Sequence, residues 1–214
     1  MPMRTKVQAT DGRVIGTRAT QTRTRLLDAT AKLLEERSAL DLKVIDVTRE
    51  ARTSPATFYQ YFSDVSDAVL QLARQAGEEA VPMIAHLEHD WTGETGKQHA
   101  LDFASAFIEH WMGHSAILRV RNLQAEEGDD AFRRARGRAL KPFLDALVTK
   151  IEANQKSGRI SIELSPYATA SAILATLERL VSYIDIFEQR GVSQDDMKRT
   201  LAILIFQTVT GEAW

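Results

Sequence analysis

The chain has no cysteine among its 214 residues. Disulfides and thiolate metal sites are therefore excluded, and the composition fits a reducing cytoplasm. It has no run of eighteen apolar residues and no signal-peptide pattern, so neither membrane insertion nor export is expected. No segment joins strand-like alternation to hairpin chemistry; Arg159 to Leu164 comes nearest and reads as a loop. No P-loop, GxSxG or Gly-rich nucleotide fingerprint occurs. What remains is an all-α chain with 44% apolar residues, enough for one sizeable core or two small ones.

Net charge is also small, −2 overall, but it is unevenly spread. Residues 1–62 carry 11 Lys/Arg against 7 Asp/Glu, leaving 16 against 22 for residues 63–214. Arg4, Lys6, Arg13, Arg18, Arg23 and Arg25 make the start of the chain basic, as either a phosphate-binding segment or a solvated tail would be. Residues 1–19 lack apolar periodicity and are expected to form a flexible arm.

Structure is expected from about Thr20. Leu26, Leu27, Ala29, Thr30, Leu33 and Leu34 recur at helical spacing to about Arg37. Val44, Val47 and Ala51 mark a two-turn helix too short to stand alone. A tight turn over Arg52 and Thr53 leads to Ser54-Pro55, a capping residue followed by proline at the first helical position. The next helix starts at Asp64 or Ser66 and runs toward His89, with Pro82 interrupting it. Further helices are expected near 98–113, 115–126, 129–157, 166–189 and 194–210, about nine in all. Gly158 and Gly191 stand as helix ends and Ser165-Pro166 and Ser193 as helix starts.

Residues 52–64, RTSPATFYQYFSD, are the most informative stretch. Three short helices within about 45 residues, the last two joined by a three- to four-residue turn, form a helix-turn-helix arrangement. Phe58 and Phe62, four apart, should be buried, leaving Ser54, Pro55, Thr57, Gln60 and Tyr61 toward a DNA groove. Tyr59 lies on the flank within reach of a phosphate, and Lys43, Thr48 and Arg49 sit on the preceding helix, which would cross the backbone. Thr53 completes the candidate set.

These residues carry a family resemblance. The run from Lys43 to Phe62, KVIDVTREARTSPATFYQYF, followed by Ser63-Asp64 and Asp67-Ala68-Val69, resembles the DNA-binding domain of the TetR/AcrR family of bacterial transcriptional regulators. Thr57-Phe58-Tyr59-x-Tyr61-Phe62 is its most specific part. The resemblance implies a helix-turn-helix domain over 20–80, with its motif at about 43–62, and a helical ligand-binding and dimerisation domain over 81–214. Leu33-Leu34-Glu35-Glu36-Arg37 and Glu178-Arg179-Leu180 are further similar to the ethionamide-resistance repressor group of mycobacteria. The chain departs from the family at Lys43, where Ser or Thr commonly opens the second helix, at Arg52-Thr53, where Gly-Val is usual, and at Val65, where a basic residue is common. Arg52 must therefore either take a left-handed conformation or alter the turn.

The resemblance implies a sequence-specific regulator, most simply a repressor released from a two-fold symmetric double-stranded operator by a small apolar or amphipathic effector. One reading helix spans few base pairs, so a homodimer is expected, with residues 166–210 as the interface. The Arg13 to Arg25 stretch would track the minor groove or raise non-specific affinity. An effector pocket is implied among Phe107, Trp111, Asn122, Phe143, Leu147, Leu174, Leu177 and Glu178, although apolar residues at helical spacing also serve as plain core. No cofactor, metal or enzymatic activity is expected. His86/His89 and His110/His114 have helix-face spacing without a completing ligand, and Glu126, Glu127, Asp129 and Asp130 read as a solvated cap. The alternatives are an all-helical protein-interaction module and a small helical enzyme.

Overall fold

The computed structural model describes residues 16–39 and 41–214, and every regular element among them is helical. The helices are α1 (Thr17–Glu36), α2 (Val44–Glu50), α3 (Pro55–Tyr59), α4 (Val65–Glu79), α5 (Ile84–Glu88), α6 (Gly93–Glu127), α7 (Asp130–Lys156), α8 (Pro166–Val181), α9 (Ile184–Gln189) and α10 (Gln194–Thr210), with a 3-10 turn at Val81–Met83.

Ten α-helices replace the expected nine through three differences. The helices expected at 98–113 and 115–126 are one, α6, bent where His114 takes non-helical angles (φ −128°, ψ 15°). Pro82 lacks an amide hydrogen and sits in the 3-10 turn, which separates α5 from α4. The helix expected at 166–189 is divided, α8 ending at Val181 and α9 beginning at Ile184.

Two boundaries also move. Residues 17–19, expected in the arm, are the first turn of α1 and Gly16 is its N-cap; residues 1–15 of that arm, including Arg4, Lys6 and Arg13, lie outside the described residues. The loop expected over 91–97 is partly the start of α6. Gly96 allows this because a Cβ there would lie 2.4 Å from the Trp91 carbonyl carbon. The expected caps are in place: Ser54 accepts from the Thr57 amide at 3.2 Å, Ser165 from Ala168 at 3.4 Å and Ser193 from Asp196 at 3.1 Å. Gly158 and Gly191 take the left-handed conformation, with φ 75° and 83°.

The chain divides into two units. The first comprises the described residues up to Gln75 together with Ala116–Ala135; the second is Ala76–Ser115 with Arg136–Trp214. The expected boundary near residue 80 omitted the return of 116–135 to the first unit. Its reason is apolar: Ile117, Ala125, Phe132 and Ala135 are buried in the same core as Leu26, Leu33, Val47, Phe58, Phe62 and Val69. Thr30, buried within α1, satisfies its hydroxyl on the Leu26 carbonyl at 2.8 Å. The second unit has its own core, in which Phe103 lies 6.2 Å from Phe107 and 6.3 Å from Phe143 between ring centroids. There Asn154 donates to the Val209 carbonyl at 2.7 Å, joining α7 to α10.

Candidate nucleic-acid interface

The reading surface is built by the turn between α2 and α3. Lysine has no acceptor, so Lys43 cannot cap α2 with its side chain. Asp46 supplies half of a capping box instead, its carboxylate accepting from the Lys43 amide at 3.3 Å. At the other end of α2 the Thr53 amide bonds the Thr48 carbonyl at 2.9 Å and the Arg52 amide bonds the Arg49 carbonyl at 3.2 Å. That pair of bonds closes a Schellman turn, and Arg52 takes its left-handed position with φ 51°. The turn therefore keeps the geometry usual for glycine, with arginine in the position.

α3 has two sides. Phe58 and Phe62 are fully buried and 5.4 Å apart, and Arg23 lies over the Phe62 ring at 5.4 Å. Burial holds the Arg23 guanidinium below its ordinary pKa, partly opposed by the charge of Asp67, and its Nη2 donates to Gln71 at 3.4 Å. Arg23, read from sequence as part of a basic stretch that would track the minor groove or raise non-specific affinity, thus fastens α1 to the core. On the other side Ser54, Pro55, Tyr59 and Gln60 are exposed, Tyr59 at 55%, and Thr57 is half-buried. The Ser54 and Thr57 hydroxyls share a hydrogen bond of 3.0 Å.

Three expected contacts need revision or refinement. Thr48 is only 1% exposed, and its hydroxyl donates to the Ile45 carbonyl at 3.2 Å, so it packs and cannot reach a phosphate. Tyr61 is half-buried, packed on the first unit's core with its ring 6.5 Å from Phe62, and presents less to solvent than Tyr59. Thr53 is half-buried, its amide committed to the turn. Lys43 and Arg49 are exposed; the Arg49 guanidinium is 3.7 Å from Asp46.

The expected effector residues are distributed unequally. Phe107, Trp111, Phe143, Leu147, Leu174, Leu177 and Glu178 are all buried in the second unit. Asn122 belongs to the first unit, where its Oδ1 accepts from Arg121 at 3.0 Å. Glu178 makes a short ion pair with Arg136. The Trp111 indole N–H is buried with no acceptor among the described residues.

Sequence gave no signal for two cavities of the second unit. One, of about 480 Å³, lies between α8 and α10 and is lined by Leu164, Ala168, Ala172, Leu177 and Leu204 among others. The other, of about 690 Å³, is bounded by Leu87, Trp91, Ala146 and Lys150. Burial lowers the Lys150 pKa, and its ammonium donates to the His89 carbonyl at 2.6 Å and lies 5.3 Å from the Trp91 ring centre.

The remaining candidates have local uses. Asp129 caps α7 by accepting from the Ala131 and Phe132 amides at 2.8 and 3.1 Å. His114 faces Glu79 at 3.1 Å, and His89 stacks on His99. Among the described residues no group of three or more His, Cys, Asp or Glu is arranged to hold a metal ion, and no helix is long and apolar enough to cross a membrane.

Comparison with known proteins places this geometry. Residues 26–64 match the family model for bacterial regulatory proteins of the tetR family, and residues 84–213 match that of the tetracyclin repressor-like C-terminal domain. An uncharacterized HTH-type transcriptional regulator of Haemophilus influenzae is 29% identical over 140 residues, covering 64% of this chain and 67% of that protein. The fold is shared with the fatty acid degradation regulator FadR from Bacillus halodurans (TM-score 0.66, 16% identity, 93% of this chain and 97% of that one). It is shared also with FadR from Bacillus subtilis, solved in complex with stearoyl-CoA (TM-score 0.65, 19% identity, 88% and 98%). With a helix-turn-helix whose phenylalanines face inward while Ser54, Tyr59 and Gln60 face outward, and with family matches over both parts, the chain belongs to the TetR family and is a DNA-binding transcriptional regulator.

Proposed function

We propose that the chain acts as a homodimeric repressor, reading a two-fold symmetric operator through paired α3 helices and leaving it when a small apolar or amphipathic effector binds. The observation that carries this is the sidedness of α3: its phenylalanines are fully buried while Ser54, Tyr59 and Gln60 are exposed beside half-buried Thr57. Ser54, Thr57 and Gln60 meet base edges, with Pro55, Thr53 and Tyr61 at the margins of the contact; Tyr59, Lys43 and Arg49 meet phosphates.

The dimer reading is supported by α8 and α10. Leu164 and Leu204 are exposed around a groove lined also by small residues such as Ala168 and Ala172, which suits close approach of a second copy. An effector held among Phe107, Trp111, Phe143, Leu147, Leu174 and Leu177 would offer an acceptor to the unpartnered Trp111 N–H, with the Glu178–Arg136 pair as a polar neighbour. The stearoyl-CoA of the Bacillus subtilis neighbour is an amphipathic ligand of the class proposed here. Binding releases DNA if the effector favours the operator-incompetent form, a coupling of roughly 1–3 kcal/mol.

Operator affinity measured against salt tests the reading. Lys43 and Arg49 from two protomers make four phosphate contacts, which alone should make log affinity fall with log salt at a slope of about −4, steeper with any further cationic contact. A flat salt response would favour an apolar protein interface and reject DNA reading by this surface.

A further inference from the structure

We propose that Arg52 is a phosphate-contacting residue, held beside the groove by a strained backbone that this chain keeps for binding. The proposal rests on the reading of α3 given above. Arg52 occupies the left-handed position of the Schellman turn, with φ 51°, and no other non-glycine described residue has positive φ. An L-residue pays for that conformation through the clash of its Cβ with backbone, a cost glycine escapes. Such strain persists where the surroundings impose it, and it clusters at functional sites.

The fold makes only minor use of the side chain: the Glu50 pKa is lowered chiefly by its hydrogen bond and charge pairing with Lys32, and the Arg52 charge adds the smallest contribution. Arg52 is exposed and makes no ion pair or ring contact among the described residues. The nearby Glu50 carboxylate is bonded instead to Lys32 at 2.6 Å. The hydrogen bonds that define the turn come from backbone groups, which glycine would supply equally well.

What arginine adds is a guanidinium with a fork of donors that fits phosphate oxygens. Its place suits that use. Arg52 stands two residues before Ser54, the cap of α3. In helix-turn-helix docking the first residues of the reading helix meet base edges, so the residue just before them lies by the phosphates lining the groove. Arg49 on α2 and Arg52 at the turn then present two guanidiniums from adjacent positions, with Lys43 at the far end of α2. Because the contact is to phosphate, it raises affinity for all sequences without choosing among them.

The test uses the full chain, a duplex carrying its selected operator, and a scrambled duplex of equal length. Arg52→Gly should raise Tm by about 2–4 °C, since strain is relieved. The same variant should weaken operator binding at least about tenfold and flatten the salt slope by about two, one phosphate per protomer, with the scrambled duplex losing affinity as well. Arg52→Lys should keep the slope, and Arg52→Ala should lose affinity without the gain in Tm. An Arg52→Gly variant that is more stable and binds with unchanged affinity and slope overturns the proposal, as does one that is less stable. If Arg52→Gly has no effect on binding while Tyr59→Phe and Thr57→Ala do, only the Arg52 assignment falls. If none of these variants alters DNA binding, the reading of α3 falls with it.

Discussion

Replacing Phe58 by alanine and, separately, Tyr59 by phenylalanine should separate two adjacent aromatic residues into opposite roles. Phe58 is fully buried, 5.4 Å from Phe62 and edge-on to Tyr59 at 5.8 Å. Removing its ring leaves a cavity in the core shared by α1, α2, α3 and residues 116–135, at a cost of about 4 kcal/mol. For a chain of this size that corresponds to a Tm lowered by roughly 8–16 °C. Tyr59→Phe removes only a hydroxyl that faces water, so stability should change by less than about 0.5 kcal/mol. Its effect belongs to binding instead: one phosphate hydrogen bond worth about 1 kcal/mol per protomer gives roughly a thirtyfold loss for a site held by two. Urea denaturation and fluorescence anisotropy with an operator duplex read the two quantities. A Phe58→Ala cost under about 1 kcal/mol, or a Tyr59→Phe variant that loses stability and keeps full affinity, would show that the inward and outward faces of α3 are assigned wrongly.

Other outcomes follow from single features. Gln60→Ala should change base preference at one half-site position, whereas Arg49→Ala should weaken binding evenly on all sequences and flatten the salt slope; selection from random DNA with each variant separates the two. Leu204→Asp, placing charge on the rim of the α8–α10 groove, should convert the dimer to monomer in sedimentation without unfolding it; an unchanged dimer would move the interface elsewhere. Trp111→Phe should cost under about 1.5 kcal/mol, because it removes a buried N–H that has no acceptor among the described residues; a larger loss would mean the N–H is bonded. The Asp196 pKa is lowered by hydrogen bonds from the Ser193 side chain and amide. The stability from this capping box is therefore full above the ordinary aspartate range and is lost as pH falls below about 4. A Ser193→Ala variant should show a shallower acid loss in urea midpoints taken across that range.

Much of the reading head was legible because its signals are local. Ser54-Pro55, the Phe58/Phe62 spacing and the odd turn at Arg52 each depend on a few neighbouring residues; the first two appear in the fold as read, and at Arg52 the left-handed one of the two alternatives is found. Thr48 was misread because a hydroxyl on a short helix looks the same in sequence whether it faces solvent or its own helix carbonyl. Arg23 was misread for a related reason: its partner Phe62 is 39 positions away. Long-range packing also hid the return of residues 116–135, Asn122 among them, to the first unit. Separate helices are expected near 98–113 and 115–126, yet the backbone continues between them with one distorted residue at His114. The cavities were invisible because each is lined by residues from segments far apart in the chain.

The most direct measurement is recovery of bound sequences from a random DNA pool by the full chain, followed by footprinting on the best of them. Paired α3 helices predict a two-fold symmetric site whose half-sites lie about one helical turn, or a multiple of it, apart, protected on one face of the duplex. Recovery of no symmetric site, with binding indifferent to Thr57 and Gln60 substitutions, would contradict it.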